Sequence, residues 1–332
     1  MAIKRVSSVD VARAAKVSQS TVSRVYTPGV PVSEENRVKV LAAARKLGYS
    51  PDAIARSLIM RHTNIIGIVM ADITNPFYPN VLDQFTNRLQ TSGKQTLLFN
   101  ASTGHDIDDT LPLVLQYRVD AIIITSATLS SAMADECARH GTPVILFNRY
   151  IPRSKASAVC CDNVAGGRMV ADVLLNAGHK RIAYVAGTAN TSTNMDREKG
   201  FSERLRECGV TDWLCEQGEY THESGYLAAR KLLTRADPPD AIFAANDIMA
   251  MGVLDAAREL GVRVPDQLSV IGYDGIPAGE WHAYSLTTIR QPVEEMIDAT
   301  IELLKARIEN PDAKPIIQMI PGSLIKRNSA RV

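Results

Sequence analysis

Two kinds of hydrophobic repetition divide the chain near residue 60. Before it, apolar residues recur at helical spacing; after Asn64, short apolar runs alternate with amphipathic stretches. In the first region, Ser7-Ser8-Val9-Asp10 has capping-box character and opens a small helix over Val9–Ala15. Lys16-Val17 then turns the chain into a second helix, Ser18–Val25, with Ser18 as its N-cap. Val22 and Val25, three apart, face inward. Gln19, Ser20, Ser23 and Arg24 face the other way, with Thr21 near their edge. Ser33-Glu34-Glu35 opens a third helix whose inward positions are expected at Val38, Leu41, Ala44 or Arg45, and Leu47, with Gly48 as its stop. Ser50-Pro51-Asp52 starts a further helical segment running to Leu58, which at under three turns is too short to be stable alone in water.

In the second region, strands are expected at Ile65–Met70, Thr96–Phe99, Ala121–Thr125, Val144–Phe147 and Ala158–Cys161. A second series follows at Ile182–Ala186, Ala241–Ala244 and Ser269–Tyr273. Helical patterns lie between them, near Val81–Thr91, Leu111–Tyr117, Ser130–His140, Asn163–Ala177, Arg197–Glu207, Glu223–Leu233 and Asp247–Leu260. Such alternation predicts parallel sheets covered by helices on both faces. Asp120-Ala-Ile-Ile-Ile-Thr is echoed by Asp240-Ala-Ile-Phe-Ala-Ala, 120 residues later. Two similar α/β halves explain the echo, and a ligand then belongs in the crevice at the carboxyl ends of their strands.

Charge sharpens this division. Residues 1–62 carry 11 Lys and Arg against 4 Asp and Glu, a net of +7, and the remainder nets −6. A basic head on an acidic body suggests a head that binds a polyanion. The five cysteines are odd in number and form no C-x-x-C pair, which fits reduced thiols in a cytoplasmic protein and no metal site. The first residues lack the apolar core of a signal peptide, and no uncharged apolar run has the length of a membrane span.

The candidate chemistry lies in two places. Ser18, Gln19, Ser20, Thr21, Ser23 and Arg24 offer short hydrogen-bonding groups and one guanidinium, the chemistry that reads base edges in a major groove. Around the strand ends, Asp72, Asn75, Phe77 and Tyr78 follow the first strand and Asn148-Arg149 the fourth. Asn246-Asp247 and Asp274 follow strands of the second half. Planar carboxylate, amide and guanidinium groups beside an aromatic face suit a small polyol. Each group also has a plainer use: Asp247 can cap the next helix, and Asn75-Pro76 can be only a turn.

On these residues the chain resembles the lactose-repressor (LacI/GalR) family of bacterial transcription regulators. The marks are Asp10-Val-Ala, Val17-Ser18, Thr21-Val-Ser-Arg-Val25, Leu47-Gly-Tyr-Ser-Pro51, Ala55-Arg-Ser-Leu58, Asn75-Pro-Phe77, Gly178-His-Lys-Arg-Ile182, Ala245-Asn-Asp247 and Gly272-Tyr-Asp274. The resemblance implies an all-α helix-turn-helix DNA-binding head on an α/β, periplasmic-binding-protein-like body of two doubly wound parallel-sheet subdomains. The expected divisions are a head over 1–49, a hinge over 50–62, one subdomain over 63–161 and 290–320, and a second over 162–289 and 321–332. It further implies that Ala55 and Leu58 belong to the DNA contact, Leu58 entering the minor groove, and that Arg197, Tyr220 and Gln291 line the effector crevice. The implied partners are pseudo-palindromic operator DNA, a small effector of the sugar or sugar-acid class, and a second copy in a homodimer, with no cofactor.

The chain departs from the family at Lys16, where a glycine is usual, so Lys16 is expected to take positive φ. It also ends without leucine heptads, so no tetramer-forming tail is expected. An α/β enzyme with a basic appendage is the competing reading. No two glycines stand two apart, which excludes G-x-G-x-x-G, and neither a phosphate loop nor a G-x-S-x-G elbow occurs. His222-Glu223 is followed by Tyr226 where H-E-x-x-H needs histidine. An exported sugar receptor would share the two-lobed body but not the basic head.

Overall fold

The computed structural model describes residues 6–27, 29–50, 62–101, 107–125, 131–311 and 313–332. The chain divides into two compact units at Thr63 and Asn64.

The described residues of the first unit form three helices, α1 (Ser8–Ala15), α2 (Gln19–Val25) and α3 (Glu34–Leu47). Ser7 and Asp10 close the expected capping box on α1, and Ser18 and Ser33 cap the other two. Lys16 ends α1 in the left-handed conformation at φ 54°, as its place in the turn requires. Val11, Ala12, Ala15, Val22, Val25, Val40 and Ala44 form a core of small side chains. The inward face of α3 agrees with the expected one only at Ala44. Val40 and Ala44 are buried, while Val38 and Leu41 are 58% and 43% exposed and Leu47 sits at the rim. At 100° per residue, the pair Val38 and Leu41 is centred about 110° around the helix from Val40 and Ala44. Val40 and Ala44 turn into the core that α3 shares with α1 and α2.

The second unit contains two six-stranded sheets. In the first, β1 (Ile65–Met70), β2 (Gln95–Asn100), β3 (Ala121–Thr125), β4 (Val144–Phe147), β5 (Ser157–Cys161) and β11 (Ile317–Ile320) run parallel in the order β11-β5-β4-β3-β1-β2. The second contains β6 (Ile182–Ala186), β7 (Leu214–Gln217), β8 (Ala241–Ala244), β9 (Ser269–Asp274), β10 (Thr287–Arg290) and β12 (Ser323–Ile325). Its order is β12-β10-β9-β8-β6-β7, with β12 alone antiparallel. β3 and β8 hold the same place in the two orders, which accounts for the sequence echo at Asp120 and Asp240. Both aspartates fasten the start of a neighbouring strand: Asp120 accepts from Asn64 N, and Asp240 from Lys180 N and Arg181 N.

Alternation along β1 builds the first core. Ile66, Ile68 and Met70 join Phe85 and Leu89 of α4 (Phe77–Thr91), while Val69 faces Leu111 and Val114 of α5 (Ile107–Gln116). Burial on both faces is why these strands read as continuous apolar runs. In the second lobe, α7 (Asn163–Asn176) and α8 (Ser192–Glu207) approach at two glycines. A Cβ on Gly167 would stand 2.2 Å from Arg197 O, and one on Gly200 would stand 2.0 Å from Val164 O. The chain crosses between the lobes beside Cys161–Asp162, Arg290–Gln291 and Ile320–Ser323.

Candidate functional site

In the first unit, α2 carries the expected two faces. Val22 and Val25 are buried; Gln19, Ser20, Ser23 and Arg24 are exposed, and Thr21 is half-buried. The Ser18 hydroxyl accepts from Thr21 N at 3.1 Å and lies 2.7 Å from the Ser20 hydroxyl. Gln19 Nε2 donates to the Ser8 hydroxyl at 3.1 Å, which ties the start of α2 to α1. Ala55 and Leu58 lie outside the described residues.

In the second unit, the strand ends enclose a small cavity. Asp72, Asn75, Phe77, Tyr78, Asn148 and Arg149 line it from the first lobe, and Thr193, Arg197, Tyr220, Asn246 and Asp274 from the second. Its free volume is about 20 Å³, room for about one water molecule, so the lobes are closed on it. Thr193 was not anticipated; it lies in the first turn of α8, where a buried hydroxyl gives no periodic signal. Its Oγ1 lies 3.1 Å from the Tyr220 hydroxyl. Tyr220 has φ 60°, and its ring occupies the space a Cβ on Gly187 would need.

Arg197 is the structural centre of the cavity and only 2% exposed. Its Nε donates to Asn163 Oδ1 at 2.8 Å, Nη1 to Ala245 O and Nη2 to Asp274 Oδ1 at 3.1 Å. The guanidinium lies 3.7 Å from the centre of the Tyr273 ring. Burial draws the Arg197 pKa down, and Asp274, Tyr220, Tyr273 and Cys161 together more than offset it. Burial pushes the Asp274 carboxyl up, and Arg197 and Gln291 pull it back. Gln291 stands behind this carboxylate, with Nε2 2.8 Å from the same Oδ1. Two donors therefore already occupy Oδ1, and Oδ2 is the oxygen left for a ligand. Asp274 cannot grip neighbouring hydroxyls with both oxygens.

Asp247 does not line the cavity. It is fully buried, with Oδ2 accepting from Gly275 N at 2.7 Å and Ile276 N at 2.8 Å, and Oδ1 from the Thr288 hydroxyl. Its position at the start of α10 (Asp247–Glu259), directly after the cavity residue Asn246, gives it the character of a ligand in the sequence. It acts instead as a strut under the turn that holds Asp274 at φ 117°, a conformation rare outside glycine. Burial, then the charge of Asp274, raises its carboxyl to about 8, against the pull of its three donors.

Among the described residues three amides have a buried polar atom without a partner, Asn148, Asn246 and Gln291, and the first two line the cavity. Asn246 caps α10 through Oδ1, which accepts from Met249 N at 3.0 Å, so Nδ2 is left over and buried. Asn148, at φ 69°, donates from Nδ2 to the Tyr78 hydroxyl at 3.1 Å, which leaves Oδ1. One lobe thus supplies an unmet acceptor and the other an unmet donor, both on one cavity. Burial raises the Tyr78 phenol to about 12, so it remains a hydroxyl at neutral pH.

Residues 9–52 match the family described as bacterial regulatory proteins, lacI family, and residues 171–330 match the periplasmic binding protein-like domain. The HTH-type transcriptional repressor PurR of Photobacterium profundum is 33% identical over 326 residues, covering 96% of this chain and 97% of its own. PurR of Erwinia tasmaniensis is likewise 33% identical, over 327 residues, with 96% and 95% covered. Among solved structures, the lac repressor dimer bound to operator and the anti-inducer ONPF superposes with a TM-score of 0.89 at 25% identity, over 98% of this chain and 99% of the other. The transcriptional regulator CelR in complex with cellobiose gives 0.73 at 31% identity, over 98% and 100%. A LacI family regulator from Enterococcus faecium with bound ribose gives 0.72 at 30% identity, over 80% and 98%. With a helix-turn-helix head, a two-lobed body and relatives that match along nearly the whole length, the chain belongs to the LacI family of bacterial transcription regulators.

Proposed function

We propose that this protein is an operator-binding repressor whose DNA affinity is set by a sugar or sugar acid held between the two lobes. The exposed face of α2, Ser18 to Arg24, reads base edges, and Ala55 and Leu58 complete the contact near the operator centre. Residues 63–161 with 290–320, and 162–289 with 321–332, are the two halves of the sensor, joined to the head by residues 50–62. Two copies bind one pseudo-palindromic operator, since one small head covers too little surface for tight specific binding. The protein works in the cytoplasm, where its DNA is, and carries out no catalysis.

The observation that carries the effector reading is the pair of unmet amide atoms, Asn148 Oδ1 and Asn246 Nδ2. A buried polar group without a partner costs about 1–3 kcal/mol. A hydroxyl donates and accepts at once, so a polyol satisfies both atoms and Asp274 Oδ2 with neighbouring groups. Arg149 and Arg197 add room for a carboxylate or phosphate on the same ligand. The complexes with ribose and cellobiose show sugars bound by regulators of this kind. A thermal-shift panel of sugars, sugar acids and purine bases tests the reading. At least one polyol should raise the melting temperature of the wild type and fail to do so in Asn246→Ala. A response confined to the purine bases would overturn the carbohydrate assignment.

A further inference from the structure

We infer that Tyr150 is a positioning residue that fastens the two lobes together beside the effector cavity. Its ring packs against the outer core of the first lobe. Its polar groups reach the second. The main-chain N–H donates to the Ser192 hydroxyl at 3.1 Å, and the phenol donates to Asp196 Oδ1 at 3.2 Å. Ser192 and Asp196 stand one turn apart on α8, so both bonds land on one face of one helix.

The position of the clasp gives it a role. Tyr150 immediately follows Arg149, and Asp196 immediately precedes Arg197, and both arginines line the cavity. Closing the clasp therefore brings Arg149 of the first lobe up to Arg197, which Asn163, Ala245 and Asp274 already hold within the second. Burial, then the charge of Asp196, raises the phenol to about 12, so it keeps the proton it donates. Asp196 is half-buried, and burial raises its carboxyl while the bond from Tyr150 lowers it. Water replaces these partners when the lobes part, so the gain from closure is that of an ordinary exchanged hydrogen bond. Loss of the phenol bond should shift the closed-to-open ratio roughly three- to tenfold.

The inference rests on the proposed effector reading only for its consequence in sensing; lobe closure itself can be followed without any ligand. Hydrogen exchange on the full-length, ligand-free protein reports it directly, because the amide of residue 150 is one of the two clasp donors. Tyr150→Phe keeps the ring and the amide but removes the hydroxyl. Exchange at residues 149–151 and at the start of α8 should accelerate roughly three- to tenfold, while β3 and β4 keep their protection. Asp196→Ala should reproduce the effect, and the double variant should add nothing to either single one. Unchanged exchange in Tyr150→Phe would overturn the assignment. So would additive effects, which would mean that the two side chains act separately. Equal acceleration throughout β3 and β4 would also overturn it, since the hydroxyl would then support the lobe rather than the junction. A carbohydrate panel without a hit would leave these exchange results standing.

Discussion

Asp247 lies fully buried beneath the turn that carries Asp274. As the second half of Asn246-Asp247 it has the character of a ligand, and only the fold reveals its two backbone donors on the turn at Gly275 and Ile276. Its buried carboxyl, at about 8, binds a proton more tightly than the same group in the unfolded chain, near 4. Between these values the folded state holds more protons, so this group makes the body less stable as pH rises from about 4 to about 8. Asp247→Asn should remove that contribution, because an amide keeps the acceptor for the backbone and a donor for Thr288. Melting temperatures from pH 5 to 8.5 check this: the variant should lose stability with pH less steeply than wild type. Parallel profiles would show that Asp247 is ionised throughout. Neighbouring Asp274 was legible as a cavity residue, but its engagement with Arg197 and Gln291 was not, because those partners lie 77 and 17 residues away.

At the scale of elements, legibility followed apolar runs rather than burial itself, so β10, buried at Thr287, Thr288 and Ile289, was not read as a strand. Strands covered on both faces, such as β3 and β8, appear as unbroken apolar runs and were placed to within a residue. β7 and β11 carry exposed positions and no such run, and they emerge only from pairing with β6 and β5. Helix starts in the head were marked by their caps, whereas α4 and α8 begin four and five residues before the expected Val81 and Arg197. The phase of α3 was not legible, because its apolar residues spread over more than one stripe until α1 is placed. The packing of α7 on α8 is a further property that spacing alone does not disclose. Gly167 lets the helices approach closely enough to seat Arg197, and a methyl group would meet main-chain atoms rather than a side chain able to move. Gly167→Ala should therefore destabilise the body by about 1–3 kcal/mol, as overpacking commonly does. Chemical denaturation should show a lower midpoint with an unchanged slope. A neutral result would mean that the helix pair separates without loss.

The whole molecule combines a basic head with a sensor, and the two are tested by different losses. Arg24 is exposed on α2 and belongs to the proposed base-reading face. Mobility shifts on a palindromic duplex should show two chains bound, and Arg24→Ala should weaken binding by about 1–3 kcal/mol per bidentate contact while leaving random DNA almost unaffected. Equal weakening on both duplexes would make Arg24 a phosphate contact.

The threefold crossing between lobes has a consequence for how the protein is made. Neither lobe is a continuous stretch of chain. The first needs β11, whose neighbour Ile316 bonds to Ser157 across 159 residues, and the second needs β12 beside β10. On the ribosome, β5 must therefore wait with an open edge while the whole second lobe is synthesised. Only after residue 320 emerges can the first sheet close, a few residues before the second. The nascent chain thus carries an unpaired, apolar strand edge through about half of its synthesis, and this is the stage at which it most needs shielding from its neighbours.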